Sequence, residues 1–288
     1  MASLREIKDR IGSVRSTLKI TSAMKLVASA KLRKAQRAIE GMRPYERPLA
    51  EILAAVGPQA GLNGPARPLP ADGAAPGKTA VVAISSNSSL CGGFNANVAR
   101  KALEAIRSCG GGVEVYPVGR KVTDALRRAG YVASEDYNEL VAHPAYGTAA
   151  QLADTLCARF RSGELSRVLL VYNHFVSAAS QVPVCEQYLP FEAAPQPEET
   201  AAPGTDYLVE PDAAQLVAQL LPQVLMLRFY AAILDSAAAE HAARTLAMQT
   251  ASDNAEDLLA QLTLEYNKGR QQKITAEILD LLGGSADQ

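Results

Sequence analysis

The sequence has no tryptophan, and only 5% of its residues are aromatic. A single thick core built around large rings is therefore not expected. Abundant alanine points instead to helices that pack closely through small side chains. The four cysteines, Cys91, Cys109, Cys157 and Cys185, are widely spaced, with no C-x-x-C pair and no histidine at zinc-finger spacing. Neither a metal centre nor a redox pair is expected from them, and a reducing compartment fits. The three histidines, His143, His174 and His241, lie in unrelated segments, so a nucleophile such as Cys91 has no base placed beside it by sequence. Cys91 reads best as a structural thiol. No paired carboxylates stand in a cleft-forming context, and the expectation is a chain with no catalytic residues, no cofactor and no metal. No run of about 18 apolar residues is free of charge, and the first residues lack the apolar core of a secretion signal. A soluble chain is expected, with membrane association only through partners.

What the sequence has is an uneven charge. Residues 1–48 carry twelve Lys or Arg against four Asp or Glu, a net of +8. Since the whole chain is −1, the remainder is −9. A basic arm on an acidic body implies an anionic partner surface: nucleic acid, anionic lipid or an acidic protein loop.

The same arm is strongly periodic. Leu4, Ile7, Ile11, Val14, Leu18, Thr21, Lys25, Ala28, Leu32, Ala35, Ile39 and Met42 follow alternating steps of three and four, the seam of a coiled coil. Ser3 followed by Glu6 makes a capping box, and Pro44 and Pro48 disturb the far end. A helix of about 40 to 50 residues spans roughly 60 to 75 Å, more than a globular domain needs. The C-terminal part repeats the pattern through Leu220, Val224, Leu227, Ala231, Leu234, Ala238, His241, Thr245, Met248, Ser252, Ala255, Leu259, Leu262 and Tyr266. Pro222 predicts a break or kink near Leu221. The step then changes, and Ile274, Ile278, Leu281 and Leu282 continue as if without a partner helix, up to Gly283 and Gly284. Two such helices can bury their seams on each other only if they return antiparallel from a compact middle.

That middle alternates strand and helix signals: strand Thr79–Ser85, helix Asn95–Ser108, strand Val113–Val118, helices Val122–Ala129 and Ala149–Arg161, then strands Val168–Phe175 and Val182–Tyr188. The alternation argues a mixed α/β sheet domain. The boundaries expected are a helix over 1–56, a Pro/Gly-rich connection over 57–77 with five of each residue, an α/β domain over 78–192, a loose connection over 193–206 and a helix over 207–288.

Three motifs invite ligands. Gly73 to Thr79 (GAAPGKT) looks like a phosphate loop, yet it is a residue short, contains a proline and precedes its strand, whereas a working loop follows a strand and opens a helix. Ser86 to Asn95 follows a strand in the right order but lacks G-x-G-x-x-G, and a tight turn closing the sheet is the simpler reading. The basic helix has no aromatic residue among its charges before Tyr45, so bases would have nothing to stack on. Two rival readings remain: a nucleotide-binding enzyme on the α/β domain, tested by nucleotide titration, and a basic coiled-coil nucleic-acid protein, tested by a salt-dependent shift assay.

The opening Met1-Ala-Ser-Leu-Arg-Glu-Ile-Lys-Asp-Arg-Ile-Gly-Ser-Val and the run Thr21-Ser-Ala-Met-Lys-Leu-Val-Ala-Ser-Ala-Lys-Leu resemble the start of gamma subunits of rotary F-type ATP synthases. Ala247-Met248, Ser252-Asp-Asn-Ala255, Tyr266-Asn-Lys268, Arg270-Gln271 and Ile274-Thr-Ala-Glu-Ile278 resemble their end, over roughly 1–56 and 207–284 in all. Leu90 to Asn95 (LCGGFN) and Phe175 to Pro183 (FVSAASQVP) match middle-domain landmarks more weakly. Ser86-Asn-Ser-Ser89 departs from the Asp-Arg pair that many members carry there, so no role is borrowed from those charges. The resemblance implies a long antiparallel coiled coil of the N- and C-terminal helices plus a central Rossmann-like α/β domain. It implies a non-catalytic central-stalk rotor, whose partners are the alpha and beta subunits, the epsilon subunit and the c-ring. It further implies a peripheral place on the cytoplasmic face of a bacterial membrane, and no nucleic acid. By position, Met24 and Lys25 face acidic beta loops. Arg244, Arg270, Gln271, Thr275 and Glu277 supply polar contacts to the alpha/beta ring, and Ile274 and Ile278, with Leu281 and Leu282, its apolar sleeve.

Overall fold

The computed structural model of the chain describes residues 3–57, 77–133, 135, 137–191, 208–210 and 212–284. The connections expected at 57–77 and 193–206 lie outside them, apart from Gly57 and Gly77 at the ends of the first. In chain order the elements are α1 (Leu4–Val56), β1 (Lys78–Ile84), α2 (Phe94–Ser108), β2 (Val113–Val118), α3 (Arg120–Arg128), α4 (Asn138–Ala142), α5 (Tyr146–Arg161), β3 (Leu165–Phe175), β4 (Gln181–Leu189) and α6 (Ala213–Gly284). They fall into two compact units, residues 30–243 and the pair of segments 1–29 and 244–288. The division lies inside both long helices.

In the larger unit the strands form one sheet in the order β2-β1-β3-β4, with β1 parallel to β2 and β3, and β4 antiparallel to β3. Because side chains alternate along a strand, β1 serves two cores. Ala80, Val82 and Ile84 join Leu152, Leu156 and Phe160 of α5 and Leu225, Phe229 and Ile233 of α6 on one face. Val81 and Ala83 join Val98 and Ala102 of α2 and Val122 and Leu126 of α3 on the other. A strand with both faces covered reads as a continuous apolar run, as KTAVVAI does. Leu53 and Val56 of α1 pack with Val217 and Val224 of α6. At the start of β2 a charged cluster ties the sheet to α5. Arg159 donates to both oxygens of Glu114 at 2.5 and 3.0 Å and to Glu164 at 2.9 Å. The Arg159 hydrogen bond holds the Glu114 carboxyl below the ordinary range, and burial, aided by Glu114, pushes Tyr116 up to about 12.

The expected break at Pro222 does not occur. α6 is one helix of 72 residues with Pro222 inside it, and α1 likewise runs through Pro44 and Pro48. The carbonyl that Pro222 leaves without its donor belongs to Ala218, and both residues are exposed. The opposite side, with Leu221, Val224 and Leu225 packed into cores, holds the helix together. By length and composition α6 could cross a membrane, with a mean hydropathy of 1.5 over its most apolar 18-residue window. Leu225, Phe229 and Ile233 instead spend that apolar surface on the sheet.

In the smaller unit α1 and α6 run antiparallel, as the partners Leu4 with Gly269, Thr21 with Ser252 and Lys25 with Gln249 require. The capping box is formed: Ser3 Oγ accepts from the Glu6 amide at 3.2 Å, and Glu6 accepts from the Ser3 amide at 2.9 Å. Ile7, Thr21 and Ala28 of the first seam and Met248, Ser252, Ala255 and Leu262 of the second are buried. A hydroxyl pair lies in the seam, Thr21 Oγ1 to Ser252 Oγ at 2.8 Å. Ser252→Ala should cost about 1 kcal/mol. Adding Thr21→Val should cost little more, since removing both polar partners leaves nothing unsatisfied. Urea melts of the two single variants and the double variant measure this, and fully additive losses would show that the hydroxyls act independently.

Candidate rotor surface

All eleven residues singled out by the resemblance belong to the two-helix unit, so one body presents them. Their surroundings differ. Met24 is half-buried on α1. Lys25 beside it is also half-buried, and its Nζ donates to Gln249 Oε1 of α6 at 2.8 Å, with Gln249 Nε2 donating in turn to Asp253 at 2.6 Å. The lysine thus spends one of its three donors inside the helix pair and keeps two for anything outside. Arg244 is only 9% exposed and engages its own chain.

The C-terminal group is different. Every residue from Arg270 to Leu279 is exposed, because Leu4, at the start of α1, lies against Gly269 and α6 continues beyond it. Ile274 is 47% exposed, Ile278 51% and Leu279 62%. Lys273 lies 3.8 Å from Glu277, a solvent-screened pair one turn apart, and Thr275 Oγ1 returns to the Gln271 carbonyl at 3.0 Å. The side chains of Leu281 and Leu282 lie outside the described residues.

The seam pattern passed over a second set. Ile20, Leu26 and Val27 on α1 are 58 to 69% exposed. Their signal was available in the sequence: apolar residues in a basic helix at positions that the seam does not use. Large aliphatic groups left in water at these places need a covering surface.

The sheet unit also leaves apolar side chains in water, Leu90 at 59%, Val132 at 85% and Val176 at 58%, at scattered positions. Asn95 accepts from Ser86 N and Oγ at 3.1 and 2.9 Å and donates to Ser88 O, while Asn87 bridges Asn138 O and Arg120 N, so the 86–95 segment closes on itself as a turn. Leu90 takes φ 65° there and Gly92 φ 56°. Cys91 is buried, receiving Asn95 Nδ2 at 3.1 Å. Gly119, at φ 110°, lies so close to the Ser85 carbonyl that a Cβ would sit 2.4 Å from its oxygen, which fixes glycine at the β2–α3 turn. Of the phosphate-loop-like segment, residues 73–76 lie outside the described residues. Gly77 packs against Gly163 and Ser166, and Lys78 and Thr79 start β1. His174 Nδ1 meets Asp235 Oδ2 at 2.6 Å, and Asp235 also accepts the Phe175 amide. Burial raises the Asp235 carboxyl against the opposing pull of His174. Among the described residues no three His, Cys, Asp or Glu side chains come together as a metal cluster would.

Comparison with known proteins covers the whole chain. A family model described as ATP synthase matches residues 3–286. The ATP synthase gamma chain of Bacteroides fragilis is 49% identical over 296 residues, covering 99% of each chain, and that of Pelotomaculum thermopropionicum is 41% identical over 286 residues, again with 99% of each covered. Among solved structures, a chain of the Euglena gracilis mitochondrial ATP synthase aligns over 98% of this chain and 93% of its own, at TM-score 0.66 and 18% identity. A chain of the Tetrahymena thermophila central stalk and c-ring aligns over 81% and 99%, at TM-score 0.56 and 24% identity. Those two likenesses are of fold, a long helix pair with an α/β sheet domain. The match to gamma chains along 99% of the sequence is of family: this chain belongs to the ATP synthase gamma-chain family.

Proposed function

We propose that the chain is the central-stalk rotor of a proton-translocating ATP synthase, passing rotation from a membrane c-ring to a ring of three alpha and three beta subunits. The observation that carries this is the end of α6: ten consecutive residues, Arg270 to Leu279, exposed along a single helix whose apolar side chains have no cover among the described residues. A sleeve around such an end supplies the cover, and Arg270, Gln271, Thr275 and Glu277 among the isoleucines supply exchangeable polar contacts. A bearing of this kind needs contacts that are weak one by one, since a strong buried ion pair would trap one angle. Catalysis is assigned to the beta subunits. The chain's part is to present a different face to each of them in turn and so bias its open and closed states. Epsilon and the c-ring are assigned to the other end, with the whole held peripherally on the cytoplasmic face of a bacterial membrane.

The test is co-purification: a tagged chain should bring down alpha and beta subunits at one gamma to three of each, and their absence would remove the reading. A finer test uses Met24→Lys, which places a cation beside Lys25, whose own charge is partly engaged by Gln249. A new strong pair with an acidic loop should then impair the coupling of rotation to proton movement more than folding. ATP hydrolysis should persist while proton pumping in reconstituted vesicles falls. Equal loss of both, with an unfolded subunit, would place Met24 in the core instead.

A further inference from the structure

Lys25 stands at a seam position of α1, where a coiled coil ordinarily places an apolar side chain. Its Nζ reaches across to Gln249 Oε1 of α6 at 2.8 Å, and Gln249 Nε2 donates to Asp253 Oδ1 at 2.6 Å. The amide fits only this way round. Turned over, its N–H donors would meet an ammonium, which accepts nothing, and its oxygen would meet a carboxylate, which donates nothing. Asp253, one turn further along α6, therefore fixes which end of Gln249 faces Lys25.

The amide holds the lysine without cancelling its charge. Between Asp9 and Glu40 α1 has no acidic residue, and among the described residues Lys25 forms no ion pair. Asp253 acts on it only through a neutral side chain. A free lysine spreads its ammonium over many rotamers, whereas one hydrogen bond to a fixed acceptor restricts it to a small region. The half-buried Lys25 thus offers an intact positive charge and two remaining donors from one place.

We infer that Gln249 is a positioning residue for the Lys25 contact: oriented by Asp253, it pins the ammonium on the flank of the helix pair so that Lys25 selects a single carboxylate on another subunit. This rests on the rotor reading and adds to it what sets the place of that contact. A carboxylate at position 249 would neutralise Lys25 inside the pair, and an aliphatic group there would let it roam. If the relay served only to register the two helices, as a polar pair in a seam does, its loss would lower the melting temperature and leave the choice of carboxylate alone.

The experiment treats the assembled complex with a carbodiimide, which joins an amine to a carboxylate already in contact, and sequences the peptides linked to Lys25. In the unaltered complex one carboxylate of another subunit should account for most of the adduct. Gln249→Leu, similar in volume but without donor or acceptor, should cut the share of that adduct about fivefold and spread the rest over neighbouring carboxylates, the fold-change of one hydrogen bond to a charged group. Gln249→Glu should turn the adduct inward, joining position 249 to Lys25 within the chain. Asp253→Ala, at an exposed position where folding is not at stake, should lower the share about twofold by freeing the amide to turn. An unchanged adduct in both Gln249→Leu and Asp253→Ala overturns the inference, as does an assembled complex in which Lys25 joins no other subunit, and both outcomes leave the rotor reading standing. A tagged chain that brings down no alpha or beta subunits removes the rotor reading, and the inference with it.

Discussion

A chain ending before Ile274 should melt within about 2 °C of the full-length subunit, less than the shift that about 1 kcal/mol produces in a protein of this size. The reason is geometric. α1 starts at Leu4, opposite Gly269, and the removed residues that are described, Ile274 to Leu279, are all exposed. Assembly should suffer instead. The exposed halves of Ile274, Ile278 and Leu279 each contribute about 1 kcal/mol when a partner covers them. Their combined loss corresponds to roughly a hundredfold weaker association. The measurement is a thermal melt of the free subunit beside the yield of assembled complex. A large fall in melting temperature would show that the tail packs internally.

Phe229→Ala should have the opposite profile. Phe229 is fully buried where α6 crosses the sheet, with its ring 5.7 Å from the equally buried ring of Tyr188 in an edge contact. Tyr188 in turn donates its hydroxyl to the Leu225 carbonyl at 2.9 Å, so the ring pair and the hydrogen bond fix the same two turns of α6. Truncation leaves a cavity between β4 and α6 and should cost about 3–5 kcal/mol. Urea unfolding followed by circular dichroism measures it. A loss below about 1 kcal/mol would mean that the neighbouring side chains collapse into the space and that this contact does not anchor the helix.

Much of the fold was legible because it is written in periodicity. The three-four steps from Leu4 to Met42 need only a partner to become a seam, and every one of those positions is buried or half-buried. β2 was placed at Val113–Val118 as it stands, and the other strands within three residues at either end. What failed was local. Pro222 breaks a helix that has nothing else to hold it, but packing of Leu221, Val224 and Leu225 outweighs one missing hydrogen bond whose acceptor faces water. α4, at Asn138–Ala142, was missed because five residues are too few for a helical period to show. The rotor residues were reached by resemblance alone. Exposure separates them now: Arg270 to Ile278 are open, whereas Arg244 is 9% exposed and Lys25 donates to Gln249 of the other helix, a contact that no local pattern encodes.

The hydroxyl pair of Thr21 and Ser252 joins residues 231 positions apart. On a ribosome adding about 5 to 20 residues per second, that separation is a wait of roughly 10 to 50 s. Throughout it the apolar stripe of α1 has been made and its mate has not. The basic residues that flank the stripe keep newly made copies apart by repulsion during this interval, so the same charges that suit a partner in the finished machine also guard an unfinished chain against its neighbours.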